Sequence, residues 1–488
     1  MNRVPAIRIR PVNDAPPNPD GEYVLYWMTA ARRPHWNFGL QRAVERAEET
    51  GRPLVILEAL RCDYPWACDR FHSFILNGME ENRKHFEGRP VLYHPWVERR
   101  AGEGKGLLWA LASRALAVVT DDFPAFFLPR MLRSAAFQVS VRLEAVDSNG
   151  LFPMNATDRT FTAAHSFRRH LQKTLPEHLE RFPREDPLET VSLPRMESLP
   201  EEITGRWPEA PAALLAADPE ALKGLPLDHS VEAVETRGGF EEAGNVLRRF
   251  LREKLHAYPE ARNHPDDDAG SGLSPYLHFG HISSHQVFSE LADSEEWSPD
   301  RLSNVATGRR EGWWGMSEGA EAFLDQCVTW REIGFNMCAR RGDYDRFESL
   351  PDWAVTDLTI RAADAREYVY SPGEFESAAT HDPLWNAAQT QLLREGRIHN
   401  YLRMLWGKKI LEWSASPREA LAVMTELNNK YALDGRDPNS TSGIFWVLGR
   451  YDRPWGPVRK IYGRVRYMSS ANTLRKVRTS EYLERYSP

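Results

Sequence analysis

Short apolar runs alternate with stretches of helical period between Tyr23 and Pro153, and no other feature narrows the folds open to this chain as much. YVLYWM is followed by a helical stretch from Trp36 to Glu49, and PLVILEAL by another from Phe71 to Phe86. PVLYHPW, RALAVVT and FQVSVRLEAV then read as further short strands separated by helical or turn segments. Strand and helix taken in turn make a parallel sheet with crossover helices. Such sheets bind ligands at the carboxyl ends of their strands, and no glycine fingerprint of the dinucleotide type is present. From Phe240 onward nearly every periodic segment is helical, with start signals such as the capping box of Ser416, Pro417 and Glu419, so this half is all-α. Between Asp186 and Gly239 the composition turns to proline, glutamate and short alanine-rich pieces, as in a long connection. The expected organisation is a loose N-terminal arm over 1–22, a Rossmann-like α/β domain over 23–185, a linker over 186–239 and a helical domain over 240–488.

At 488 residues the chain is too long for a single core, which agrees with that division. A hydrophobic share of 42% and a charged share of 27% are those of an ordinary globular protein. The net charge of −7 argues against blanket nucleic-acid affinity, so any such binding needs a local patch. One candidate holds Arg453, Arg459, Lys460, Arg464, Arg466, Arg475, Lys476 and Arg478 with no acidic residue between them. Its plain alternative is a solvated basic surface. Cys62, Cys68, Cys327 and Cys338 give neither a disulfide framework nor paired metal-ligand spacing, so no metal site is expected and a reducing, cytoplasmic setting is. No apolar run has the length of a membrane span, and the proline-rich start lacks the apolar core of a signal peptide.

The stretch HDPLWNAAQTQLLREGRIHNYLRMLWGKKILEW concentrates indoles in helical sequence. Asp382 and Pro383 form an N-cap and first turn, Gly396 punctuates, and Leu402, Leu405, Trp406, Ile410 and Trp413 recur with a helical period. Trp406 and Trp413 therefore share a helix face, two turns or roughly 10 Å apart. Core packing alone would explain each tryptophan. Further upstream, Ser271, Gly272, Leu273 and Ser274 form a small hydroxyl-bearing turn ahead of an apolar helix, where N–H groups and hydroxyls can grip a phosphate. A serine-rich N-cap without a ligand has the same appearance.

SGLSPYLHFGHIS, FLDQCVTWREI, THDPLWNAAQ, RMLWGKKILEWS, LNNKYALDGRDPN and GRVRYMS occur here in one order. In that order and spacing the chain resembles the class II cyclobutane-pyrimidine-dimer photolyases of the photolyase/cryptochrome family, from about Tyr23 to Tyr486. The resemblance implies an N-terminal α/β antenna domain and a helical C-terminal domain holding FAD, active in its reduced form. It implies light-driven repair of UV lesions in DNA by an electron passed from the excited flavin to the dimer and returned, in a monomeric protein. By the same resemblance Tyr258, Ser271, Gly272, Leu273 and Ser274 hold the FAD phosphates and ribose. Arg403 and Asp434 form an ion pair beside the flavin ring, with Asn400 and Asp437 close by. Asn428 faces flavin N5, with Asn439 its rival for that role. Trp330, Trp446, Met404, Gln326 and Asn263 meet the flipped dimer, and Trp406, Trp385 and Trp413 relay electrons to the flavin. Arg453, Arg459, Lys460, Arg464 and Arg466 contact DNA phosphates.

Departures from the family's pattern carry their own expectations. Gln326 stands where these enzymes carry a glutamate, and an amide can donate a hydrogen bond to the lesion but cannot deliver a proton. Asn400 replaces a glycine and matches other photolyase classes. AARRPHWNFGL and TDDFPAFFLPRM match the pattern for an 8-hydroxy-5-deazaflavin antenna chromophore only loosely, which leaves open both a second chromophore and a domain kept for structure. The alternative to repair is a cryptochrome-like blue-light photoreceptor that keeps FAD and the tryptophans, a reading that Gln326 favours over Trp330, Met404 and Trp446.

Overall fold

A computed structural model describes residues 3–487. The chain divides into two compact units, the first made of 1–157, 175–248 and 273–293, the second of 158–174, 249–272 and 294–488.

The first unit is built on a six-stranded sheet of order β1-β6-β5-β2-β3-β4. The strands are β1 (Ile9–Pro11), β2 (Tyr23–Met28), β3 (Leu54–Leu60), β4 (Leu92–Val97), β5 (Ala115–Asp121) and β6 (Leu143–Val146). All neighbours are parallel except β1 on β6. Alternate residues serve opposite faces, as the pleat requires. Leu25, Trp27, Val55, Leu57 and Val118 pack on one face, while Val24, Tyr26, Ile56, Ala117 and Val119 meet Leu40, Ala43, Val44 and Ala47 of α1 (Phe38–Thr50) on the other.

Three expectations change. FQVSVRLEAV is not one strand: a helix over Leu128–Gln138 takes its first residues and β6 only its last. Leu132 and Ala135 bury that helix's inner side while Phe137, apolar and so read as strand, is 92% exposed. The N-terminal stretch is not loose. Its β1 pairs with β6 from Ile9↔Val146 to Pro11↔Glu144, and the buried Arg8 reaches the carbonyls of Leu151 (2.8 Å) and Gly150 (3.1 Å) beside Asp147. Residues 186–239 lie wholly in the first unit. Leu188 and Leu193 join one face of the sheet, Leu199, Ile203 and Trp207 the other, and Leu214, Leu215, Leu222 and Leu225 pack on Ile75, Leu76 and Met79. Leucines spaced between prolines bind such a stretch to the core in short helical turns.

The second unit contains none of the six strands. The Asn400–Trp413 helix runs among Pro383–Glu395, Pro417–Tyr431 and Pro438–Val447. Asp382 caps the Pro383–Glu395 helix by accepting from the N–H groups of Leu384 (3.0 Å) and Trp385 (3.1 Å). Gly396 ends it at φ 69, a left-handed conformation that costs glycine nothing. Ser416 accepts from the Glu419 N–H, whereas the reciprocal capping box is formed at Ser371 and Glu374.

Candidate active site

On the Asn400–Trp413 helix, Asn400, Arg403 and Met404 lie three and four residues apart on one face and are exposed or half-buried, while Trp406 lies in the core. Arg403 is held in a fork by Asp434, Nη1 to Oδ2 at 3.1 Å and Nη2 to Oδ1 at 2.8 Å. A planar cation fixed by two parallel bonds has one orientation. Its remaining donor, Nε, is buried with no acceptor among the described residues. A buried N–H left over beside a paired cation marks a place for an acceptor from outside the chain.

The loop carrying Asp434 leads into Asp437, which caps the Pro438–Val447 helix by accepting from the Asn439 N–H at 2.8 Å. Asn428, 3% exposed, gives its amide to Ser440 Oγ at 3.0 Å and to Asn429 Oδ1 at 3.1 Å. Asn439 is half-buried, so of the two amides it is the one with open surface.

Gln326 and Trp330 stand on a π-helical turn, Asp325–Trp330, that leads into the Arg331–Arg340 helix. The wider turn carries one more residue than an α-turn and re-aims the side chains around it, a feature common at functional sites. Buried Asp325 anchors it through Arg168 at 2.7 Å. Trp330 stacks on Trp446 with ring centroids 4.3 Å apart and planes 17° apart, and Tyr451 meets Trp330 edge-on at 6.4 Å. Both indoles are half-buried, so the pair presents a flat apolar wall.

Behind these surfaces lie three buried tryptophans. Trp406 Nε1 donates to Gln389 Oε1 at 2.9 Å, Trp385 Nε1 donates to the Trp406 carbonyl at 3.0 Å, and the rings of Trp385 and Trp413 are 6.1 Å apart. An ion-paired cation, a stacked indole wall and a hydrogen-bonded indole series are thus built from neighbouring helices of one unit.

Comparison with known proteins agrees with this arrangement. The chain is 35% identical over 481 residues to the deoxyribodipyrimidine photo-lyase of Methanothermobacter thermautotrophicus, covering 98% of each. It is 31% identical over 471 residues to that of Potorous tridactylus, covering 95% of this chain and 81% of the relative. The chain belongs to the photolyase/cryptochrome family. No family model matches it. Among solved structures, a class III photolyase from Agrobacterium tumefaciens superposes with a TM-score of 0.69 at 17% identity, covering 96% of this chain and 86% of that one. An archaeal photolyase from Sulfolobus tokodaii, solved with two FAD molecules, gives 0.65 at 13% identity, covering 95% and 89%. These likenesses show the photolyase fold, an α/β unit with a mostly parallel sheet followed by a helical unit.

Other sequence-derived positions of this photolyase-family chain are less clustered. Tyr258 is buried against Phe250 (5.5 Å) and Phe323 (5.8 Å), and burial raises its hydroxyl above the usual tyrosine range. Asn263 is half-buried in the turn after it. Ser271 and Gly272 close a segment of the second unit, Gly272 at φ 73, while Leu273 and Ser274 open a helix of the first. Leu273 is its N-cap and supplies no side-chain cap, so serine does not cap this helix in the way the sequence suggested.

The basic stretch is thinner than the sequence implies. Arg453, Arg459, Lys460 and Arg466 are exposed, but Arg464 is tied to Asp357 by Nε–Oδ2 and Nη2–Oδ1 contacts of 2.8 Å each. Arg478 is likewise paired, with Asp267. Acidic partners far away in sequence cannot be seen in a charge run. The sequence also gave no sign of Trp455, 42% exposed, as a meeting point for Arg453 and Arg466, each 5.7 Å from its ring. Lys408 was missed as well. It is fully buried, its Nζ donates to the Val447 carbonyl at 2.5 Å, and burial pushes its ammonium down to about 7 against the pull of Asp452.

Proposed function

We propose that this chain is a class II-like DNA photolyase that splits cyclobutane pyrimidine dimers in light, with FAD as its cofactor. The observation that carries the reading is the forked Arg403–Asp434 pair, with its leftover buried Nε–H, one turn from Trp406. Together with Asn400, Asp437 and Asn428 or Asn439 this donor set suits a flavin ring, whose edge offers carbonyl acceptors. Tyr258, Ser271, Gly272, Leu273 and Ser274 would serve its phosphates and ribose. Bound, reduced and excited by blue or near-ultraviolet light, FAD supplies the electron that opens the cyclobutane ring and accepts it back.

The chain's own residues do the rest. Arg403 favours the anionic reduced form of the ring, and Asp434 keeps the guanidinium from turning away. The Trp330–Trp446 wall and Met404 take a pyrimidine pair turned out of the duplex and exclude water from it. Gln326 can donate its amide N–H to a pyrimidine carbonyl, and Asn263 can touch the lesion from the turn at 262–264. Trp406, Trp385 and Trp413 carry an electron inward when the cofactor arrives oxidised. Arg453, Arg459, Lys460 and Arg466 meet phosphates and set register without reading sequence.

The α/β unit bears on a second chromophore. At the switch point between β2 and β5, Asp121 already accepts the N–H groups of Thr29 (2.7 Å), Ala30 (2.7 Å) and Ala31 (3.0 Å), so an anion of the chain itself fills that crevice. A deazaflavin-type antenna would instead use the aromatic cluster on the loops after β3 and β5, where Trp66 and Phe126 stack at 6.0 Å and Phe126 meets Phe127 at 4.8 Å.

The test is to record the visible spectrum of the purified protein, then illuminate it with a dimer-containing oligonucleotide and measure restored thymines. A yellow protein that restores thymines only in light supports the enzyme, and a protein that takes up no FAD defeats it. Gln326 favours the second reading, a cryptochrome-like photoreceptor, which is supported by photoreduction without restoration. Under the enzyme reading Gln326→Glu raises the repair yield per absorbed photon, and under the receptor reading it leaves restoration absent.

A further inference from the structure

The tryptophan series ends inside the protein. Trp406, Trp385 and Trp413 are 2%, 0% and 3% exposed, so a hole arriving at Trp413 has no solvent to leave by. What touches Trp413 on its outer side is a cluster of rings from the 368–381 segment. Tyr370 meets it edge-on at 5.7 Å, His381 at 5.0 Å, and the Tyr370 N–H donates to the Trp413 carbonyl at 3.0 Å. Beyond them Tyr368 stacks on His381 at 3.8 Å and lies parallel to Tyr370 at 6.3 Å, within 1°. Exposure rises along this order, from buried Trp413 through half-buried Tyr370 to exposed His381 and Tyr368.

The hydrogen bonds suit oxidation of a phenol. The Tyr370 oxygen accepts the His381 backbone N–H at 3.0 Å and lies 2.6 Å from His381 Nδ1. With the ring proton of His381 on Nε2, the phenolic proton is directed to Nδ1, at a separation short enough for transfer. Lys409 places its ammonium 5.2 Å from the Trp413 ring centroid, and a cation there disfavours positive charge on that indole. The nearby Glu412, 2.7 Å from Lys409, holds the ammonium in place.

We propose that Tyr370, with His381 as proton acceptor and Tyr368 as surface exit, is the terminal electron donor of the tryptophan relay. This rests on the flavin reading above. In the step, one electron moves from Tyr370 to the oxidised indole of Trp413, which returns to its neutral closed-shell form. The phenolic proton moves to His381 Nδ1, leaving Tyr370 a neutral phenoxyl radical and His381 an imidazolium. A thiolate in solution then gives one electron through Tyr368, becoming a thiyl radical, and His381 returns the proton.

The experiment is a flash on the full-length, FAD-loaded chain, followed by transient absorption and by electron paramagnetic resonance of rapidly frozen samples. The expected result is a tryptophan radical giving way to a phenoxyl signal whose lines narrow when the chain carries ring-deuterated tyrosine. In Tyr370→Phe the phenoxyl signal is lost and the tryptophan signal decays by recombination. In Tyr368→Phe the phenoxyl forms but added thiol removes it more slowly. A tryptophan radical with no phenoxyl, unchanged in Tyr370→Phe, overturns this inference and leaves the flavin reading standing. Bound flavin with no tryptophan radical overturns the relay and this inference together. In the chain without flavin, Tyr370→Phe shifts the Nδ1 resonance of His381, and an unmoved resonance overturns the proton path.

Discussion

If Asp434 orients Arg403 for the flavin, the two residues must be coupled in FAD binding, and the structure sets the size of that coupling. The pair makes two charge-assisted bonds, at 3.1 and 2.8 Å, between side chains 23% and 13% exposed. A bond to a charged group contributes about 1.5–3 kcal/mol when water is excluded. Partial exposure and screening place this pair at the low end. Asp434→Asn keeps the shape, turns one acceptor into a donor facing an Nη–H and removes the charge. We therefore expect it to weaken FAD binding by about 1.4 kcal/mol, a factor of about ten. Arg403→Met removes both the pair and the Nε–H that would meet the ligand, so it should cost more than Asp434→Asn. In the double variant Asp434 has nothing left to orient, and the loss should match that of Arg403→Met alone. The assay is titration of the flavin-free chain with FAD, read by quenching of flavin fluorescence, for wild type, both single variants and the double. Additive losses, with a coupling under about 0.5 kcal/mol, would refute the claim that the carboxylate acts through the guanidinium. The fork would then be a structural ion pair.

Three further outcomes follow from particular contacts. Trp406→Phe, which removes the indole bonded to Gln389, should slow photoreduction severely while chemically pre-reduced protein still repairs; unchanged photoreduction removes Trp406 from the relay. Lys408, lowered to about 7 by burial, binds its proton less tightly folded than unfolded, where the ordinary value is 10.5. Between those values the unfolded chain holds the extra proton, so stability rises with pH from about 7 and levels off near 10.5. Lys408→Met should abolish that rise in urea denaturation series at stepped pH, with Asp452 and Arg466, the charged groups around the lysine, left in place. Removing both Arg459 and Lys460 should flatten the salt dependence of DNA binding by about 0.9 in log–log slope for each lost phosphate contact on duplex. Arg464→Ala, whose guanidinium is already held by Asp357, should change that slope far less.

What could be read from the sequence follows the range of the interaction concerned. Strands β2 to β5 were legible because their burial is written in contiguous apolar runs, and the turn from Asp382 to Gly396 because caps are local chemistry. The site residues were legible only as ordered motifs. The Arg403–Asp434 fork joins positions 31 apart, and no periodicity points from one to the other. Where sequence reasoning failed, a distant partner decided the outcome. Arg8 and β1 are ordered by Asp147 and β6, so a proline-rich start became an edge strand. Arg464 left the basic patch because Asp357, 107 residues earlier, takes its guanidinium. The π-turn under Gln326 and Trp330 has no signature in FLDQCVTW, because it differs from an α-turn by one residue of phase and not by composition. The same reasoning explains why Tyr370 and His381 escaped notice. They lie in a loop with no period to align them on Trp413, and only the folded chain shows that the last buried indole has a phenol and an imidazole on its outward side.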